Sequence, residues 1–107
     1  MQLKDKTLLK EQCFIAGKWT GTGSDPVSNP ASGVTLAKVP NLGAAETRQA
    51  IEAAHDAFGP WAKLTAKERS AILRRWFNLM IEHKEDLALL MTSEQGKPMA
   101  EARAEVA

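Results

Sequence analysis

The feature that most constrains this chain is a change of texture at Asn41. Before it, Gly, Pro, Asn and Ser punctuate the sequence every few residues; after it they become sparse and the apolar residues fall into a helical period. A strand-and-turn segment followed by a run of helices predicts an α+β arrangement in which small hairpins lie on something larger, because two-stranded hairpins are not stable alone.

The turn chemistry places the strands. In CFIAGKWT, two short apolar pieces flank Ala16-Gly17, a two-residue turn in which Gly17 supplies a positive φ. In PVSNPASGVTLAKVP, two strands surround Asn29-Pro30-Ala31-Ser32-Gly33, with proline at the second turn position and glycine at the exit.

Helix signals follow. Thr47, Ile51, Ala54 and Phe58 share one helical face, and Gly59-Pro60 predicts its end. A second helix opens at the capping box Thr65-Ala66-Lys67-Glu68. Its apolar face, with Ile72, Leu73, Trp76, Phe77, Met80 and Ile81, is wide enough to predict burial on more than one side. A break near His83-Lys84 separates it from a third helix that carries Leu87, Leu90 and Met91 to about Glu94. In TSEQGKPMAEA, Gly96 predicts a left-handed helix stop and Pro98 the first residue of a fourth helix. A phosphate-binding loop would need several glycines, a preceding strand and Ser or Thr after the lysine, where Pro98 stands instead. The last helix reaches Ala107 without a cap, which predicts a piece of a longer polypeptide.

Charge and cysteine usage exclude whole classes. Lys plus Arg number 14 against 13 for Asp plus Glu, interspersed along the chain, so there is no electrostatic case for nucleic acid or an anionic membrane. No window reaches the roughly 18 to 20 apolar residues of a membrane span, and the N-terminus lacks the apolar stretch of a signal peptide. A single cysteine rules out an internal disulfide and fits a reducing compartment, so a soluble cytoplasmic protein is expected. Cys13, on a short strand with no neighbouring histidine, reads as a buried structural thiol. His55 and His83 read as solvated, and the Glu82, Glu85, Asp86 cluster as favourable charge at a helix N-terminus. Glu101 and Glu105 form a carboxylate pair or, with Arg103 between them, a charged surface. None of these residues stands out as catalytic.

The order and spacing of FIAGKW, NPASG, the Ala-rich helix ending in AFGPW, and TSEQGKPMAEA resemble the N-terminal region of the aldehyde dehydrogenase superfamily over the whole chain. The stretch LTAKERSAILRRWFNLMIEHKEDLALLMTSEQGKP is most similar to its bacterial succinate-semialdehyde branch. The resemblance implies an α/β aldehyde dehydrogenase-like fold. Residues 1–107 would be the N-terminal part of the cofactor-binding domain, with two short hairpins and three to four helices flanking a Rossmann-like sheet encoded downstream. It implies oxidation of succinate semialdehyde by a cysteine thiolate, with hydride passing to NAD or NADP and a glutamate activating water. Those groups and the dinucleotide contacts lie beyond residue 107 in the family pattern, so the resemblance assigns no catalytic or cofactor-binding residue here and implies an inactive segment. It also implies a dimer or tetramer for the parent. The alternative is a non-catalytic helical interaction module derived from the same fold.

Some members of the family bind a monovalent cation in this region. Carried over by position, its ligands are the backbone oxygens of Val27 and Ser28 and the side chain of Glu94, where many members have Asp; the alternative for Glu94 is a solvated carboxylate. The chain also has Ala16 where the family commonly shows Asn.

Overall fold

The computed structural model describes residues 1–107. It contains two antiparallel hairpins, β1 (Cys13–Ile15) with β2 (Lys18–Thr20) and β3 (Asp25–Ser28) with β4 (Thr35–Val39), preceded by a short 3-10 turn at Lys6–Leu8. Four helices follow: α1 (Ala44–Lys63), α2 (Ala66–Glu82), α3 (Lys84–Gln95) and α4 (Met99–Val106).

The first hairpin pairs Cys13 with Thr20, Phe14 with Trp19 and Ile15 with Lys18. Alternation along β1 half-buries Cys13 and Ile15 and turns Phe14 outward, where its ring lies 5.1 Å from that of Trp19. Both loop residues are left-handed, Ala16 at φ 51° and Gly17 at φ 78°, as a two-residue turn that follows the strand twist requires. Glycine adopts this conformation freely. Ala16 does so against its Cβ.

In the second hairpin, Asn29 closes the loop three ways. Its amide donates to Val34 O at 2.9 Å, its carbonyl accepts from Gly33 N at 2.8 Å, and its side-chain oxygen accepts from Ala31 N at 2.9 Å. A bulge interrupts the ladder between Val27 and Ser28.

α1 does not stop at Gly59-Pro60 but continues to Lys63. Gly59 has no Cβ to clash with the proline ring, and Pro60 lies in the last turns, so only one helical hydrogen bond is lost on an exposed segment. α2 begins with the expected box: Glu68 N donates to Thr65 Oγ1 at 3.2 Å, and Thr65 N donates to Glu68 Oε2 at 2.7 Å. The Thr65 amide, and after it the Thr65 hydroxyl, which donates to the same Glu68 Oε2 at 2.9 Å, hold the Glu68 carboxyl below its usual range. His83 alone joins α2 to α3, ending one helix and beginning the next at φ −97°, ψ 15°.

Gly96 is left-handed at φ 80° and donates to Thr92 O at 2.9 Å. Pro98 stands one place earlier than predicted, as the cap before Met99. Its ψ of 139° is extended, and its carbonyl accepts the first helical bonds from Glu101 and Ala102 at 3.0 Å. α4 folds back along α3, with Arg103 gripping both carboxylate oxygens of Glu85 at 3.0 Å.

The core is small. Only Asp86, Ala88, Ser93 and Ala102 are buried, all in α3 and α4. The accessible surface is 8034 Å², against about 5,900 Å² for a folded monomer of this mass. The radius of gyration is 16.5 Å, against about 13 Å for a compact chain of this length. The wide face of α2 is therefore not buried within this chain: Ile72, Leu73, Trp76, Phe77, Leu79 and Ile81 are all exposed, Trp76 by 63%. No element of these 107 residues covers it. No helix is long and apolar enough to cross a membrane.

Candidate functional site

The candidate cation ligands lie on two elements, Val27 and Ser28 on β3 and Glu94 on α3. Val27 and Ser28 are consecutive on β3, paired with Ala37 and Thr35, so the extra residue of the bulge, Leu36, lies on β4 opposite them. Glu94 lies in the last turn of α3, exposed, in a turn that carries no basic residue and outside both ion pairs of the chain. A carboxylate at the negative end of a helix dipole is unfavourable without a nearby cation.

A contact between distant residues brings these pieces towards each other. A Cβ on Gly96 would lie 2.9 Å from Cγ of Pro30, so the turn after β3 packs on the turn after α3. In sequence, Ser28 stands two residues before Pro30 and Glu94 two residues before Gly96. The donor set would consist of oxygen alone, whose chemistry suits a hard cation.

The other titratable groups do not converge on a catalytic arrangement. Cys13 is half-buried on β1 opposite Thr20. His55 lies exposed on α1, while His83 occupies the α2–α3 joint. No group of three or more His, Cys, Asp or Glu side chains is placed to hold a metal ion. Glu101 and Glu105 do not act as a pair, because Glu105 binds Lys97.

Asp86 has a role that its sequence neighbourhood conceals. It is 6% exposed, and its two carboxylate oxygens accept from the backbone amides of Lys4 at 3.0 Å and Asp5 at 2.8 Å. The amides of Asp5 and Lys4, in that order, hold the Asp86 carboxyl below the usual range. The same element carries Glu85, lowered chiefly by its hydrogen bond from Arg103. Sequence offers no signal for the Asp86 contact, because its donors are featureless amides more than eighty residues away.

Comparison with known proteins places this geometry. The model of the aldehyde dehydrogenase family matches residues 19–107. The chain is 56% identical, over its whole length, to a glutarate-semialdehyde dehydrogenase of Pseudomonas putida, of which it covers 23%. It is 53% identical to the NADP-dependent succinate-semialdehyde dehydrogenase of Escherichia coli, over 99% of this chain and 23% of that one. Among solved structures, a succinate-semialdehyde dehydrogenase from Burkholderia pseudomallei superposes with a TM-score of 0.94 at 50% identity, covering 99% of this chain and 23% of the other. The chain spans about a quarter of the length of the relatives it matches. Hairpins, helices and the joints between them agree over nearly every residue, and on that agreement the chain belongs to the aldehyde dehydrogenase family.

Proposed function

We propose that residues 1–107 are the N-terminal part of the cofactor-binding domain of an NAD(P)-dependent aldehyde dehydrogenase that oxidises succinate semialdehyde to succinate. The observation that carries this reading is identity above 50%, across the whole chain, to enzymes named for semialdehydes of dicarboxylic acids. A further relative at 53% identity is a 3-sulfolactaldehyde dehydrogenase of Pseudomonas putida. The three named substrates share an aldehyde at one end and an acid group at the other, so the substrate class is a short aldehyde with a distal anion.

In this reading the segment is structural. Its surface exceeds that of a compact monomer by about 2,000 Å², the scale of an extensive permanent interface, and the apolar face of α2 is where a neighbouring sheet would rest. When bound, the dinucleotide accepts the hydride; the residues of this segment buttress the domain that holds it, and the segment alone is inactive. Val27 and Ser28, through backbone oxygens, and Glu94, through its carboxylate, hold a monovalent cation that ties the β3–β4 turn to the end of α3. The full polypeptide works in the cytoplasm as a dimer or tetramer.

The test is to express the full-length polypeptide and assay succinate and glutarate semialdehydes with NAD and with NADP, alongside residues 1–107 alone. Oxidation by the long form and none by the short one is expected. Absence of oxidation of either semialdehyde by the long form, or turnover by the short one, overturns the proposal. Glu94→Gln should remove any dependence of the melting temperature on K⁺ or Na⁺.

A further inference from the structure

An aspartate in the first turn of a helix can remain in water and still interact favourably with the helix dipole. Asp86 does not. It is buried, which is costly for a carboxylate unless hydrogen bonds replace its hydration, and the replacements come from the amides of Lys4 and Asp5 at the opposite end of the sequence. The next residues then turn by their own chemistry. Asp5 Oδ1 accepts from Thr7 N at 2.9 Å and Thr7 Oγ1 at 2.7 Å, initiating the 3-10 turn Lys6–Leu8. That turn carries Leu8 over the α2–α3 joint, where it borders a cavity of about 310 Å³ shared with Trp76, Leu79, Met80, His83 and Leu87.

The two ends of this segment are held differently. At Lys4 and Asp5 the hold is polar, directional and buried; at Leu8 it is apolar and leaves a cavity, so little dispersion energy fixes it. We propose that residues 3–9 form a strap latched by the Asp86 carboxylate across the single-residue joint between α2 and α3, and that its release uncovers the half-buried Met80 and frees the joint to bend. Lys4, Asp5, Glu82, His83 and Glu85 surround the latch, but the hold itself is the pair of amide bonds. A strap fastened at one point is a conformational device: it opens as a unit when that point is lost.

The test is peptide-resolved amide exchange on the native full-length polypeptide, combined with hydroxyl-radical oxidation of Met80. In Asp86→Ala, exchange across residues 4–9 should rise at least about tenfold, on the strength of hydrogen bonds to a charged acceptor, and oxidation of Met80 should increase. Exchange within α4 should stay unchanged, showing that the hairpin is still folded. Should Asp86→Ala fail to fold, Lys4→Pro deletes one of the two donors while keeping the Asp5 carboxylate and α3, and faster exchange at residues 5–9 is again expected. Residues 4–9 exchanging at the rate of a free peptide in the unsubstituted protein, or unchanged protection in the variants, would overturn the proposal.

Discussion

The α3–α4 hairpin and the α1–α2 pair make opposite use of their side chains. α2 carries Ile72, Leu73, Trp76, Phe77, Leu79 and Ile81 and buries none of them, while the residues that α3 and α4 bury are Asp86, Ala88, Ser93 and Ala102. Large apolar side chains provide the greater possible gain, yet burial occurs where small ones let two backbones approach. Bulk on a helix is a demand for a neighbour. Small residues, a left-handed glycine and a bidentate arginine are what it takes to satisfy one inside 107 residues.

Five measurements can break or sharpen this contrast. Within the 107-residue chain, the largest effect is expected for Ala102→Leu, which forces a branched side chain into the closed hairpin and should cost about 2–3 kcal/mol in urea denaturation with an unchanged slope. Gly96→Ala should cost about 1–2 kcal/mol, because a Cβ at φ 80° is strained and would meet Pro30. At the other end of the chain, Ala16→Gly should stabilise by about 0.5–1 kcal/mol, read from the thermal midpoint, since it removes left-handed strain from an exposed turn. Trp76→Ala in the 107-residue chain should change stability by no more than about 0.5 kcal/mol; where the α2 face is covered, the same substitution should cost about 3 kcal/mol or more. The smallest effect concerns acid. Because the fold lowers the Asp86 carboxyl, its contribution is complete above the ordinary aspartate value of 3.8 and is lost as pH falls below it. Amide protection at Lys4 and Asp5 should therefore be unchanged between about pH 7 and 4.5 and fade only in stronger acid.

Much of the local structure was legible because its causes lie within a few residues. Thr65 and Glu68 cap each other, Asn29 to Gly33 close their own loop, and Gly96 stops a helix by its own conformation. Pro60 misleads because the usual stop signal presumes a preceding side chain that Gly59 lacks. The partners of Asp86, Pro30 and Glu85 were not legible, since each meets a residue far away in sequence whose contribution is an amide, a backbone turn or one arginine among several. The wide face of α2 was read correctly as apolar, and within these 107 residues it is exposed: periodicity reports which side of a helix avoids water, not whether anything stands there. For the candidate cation ligands, the family pattern alone supplied the positions.

The joint at His83 carries a consequence for how such a chain can vary. With a single residue between α2 and α3, the azimuth of α2 about its own axis is counted out from α3 like teeth on a gear, each residue advancing it by about 100°. One inserted or deleted residue at this point would keep both helices and all their side chains, yet swing Trp76 and Phe77 about a quarter-turn or more away from whatever surface receives them. Length at this joint is therefore less tolerant of change than the identity of the residue that occupies it.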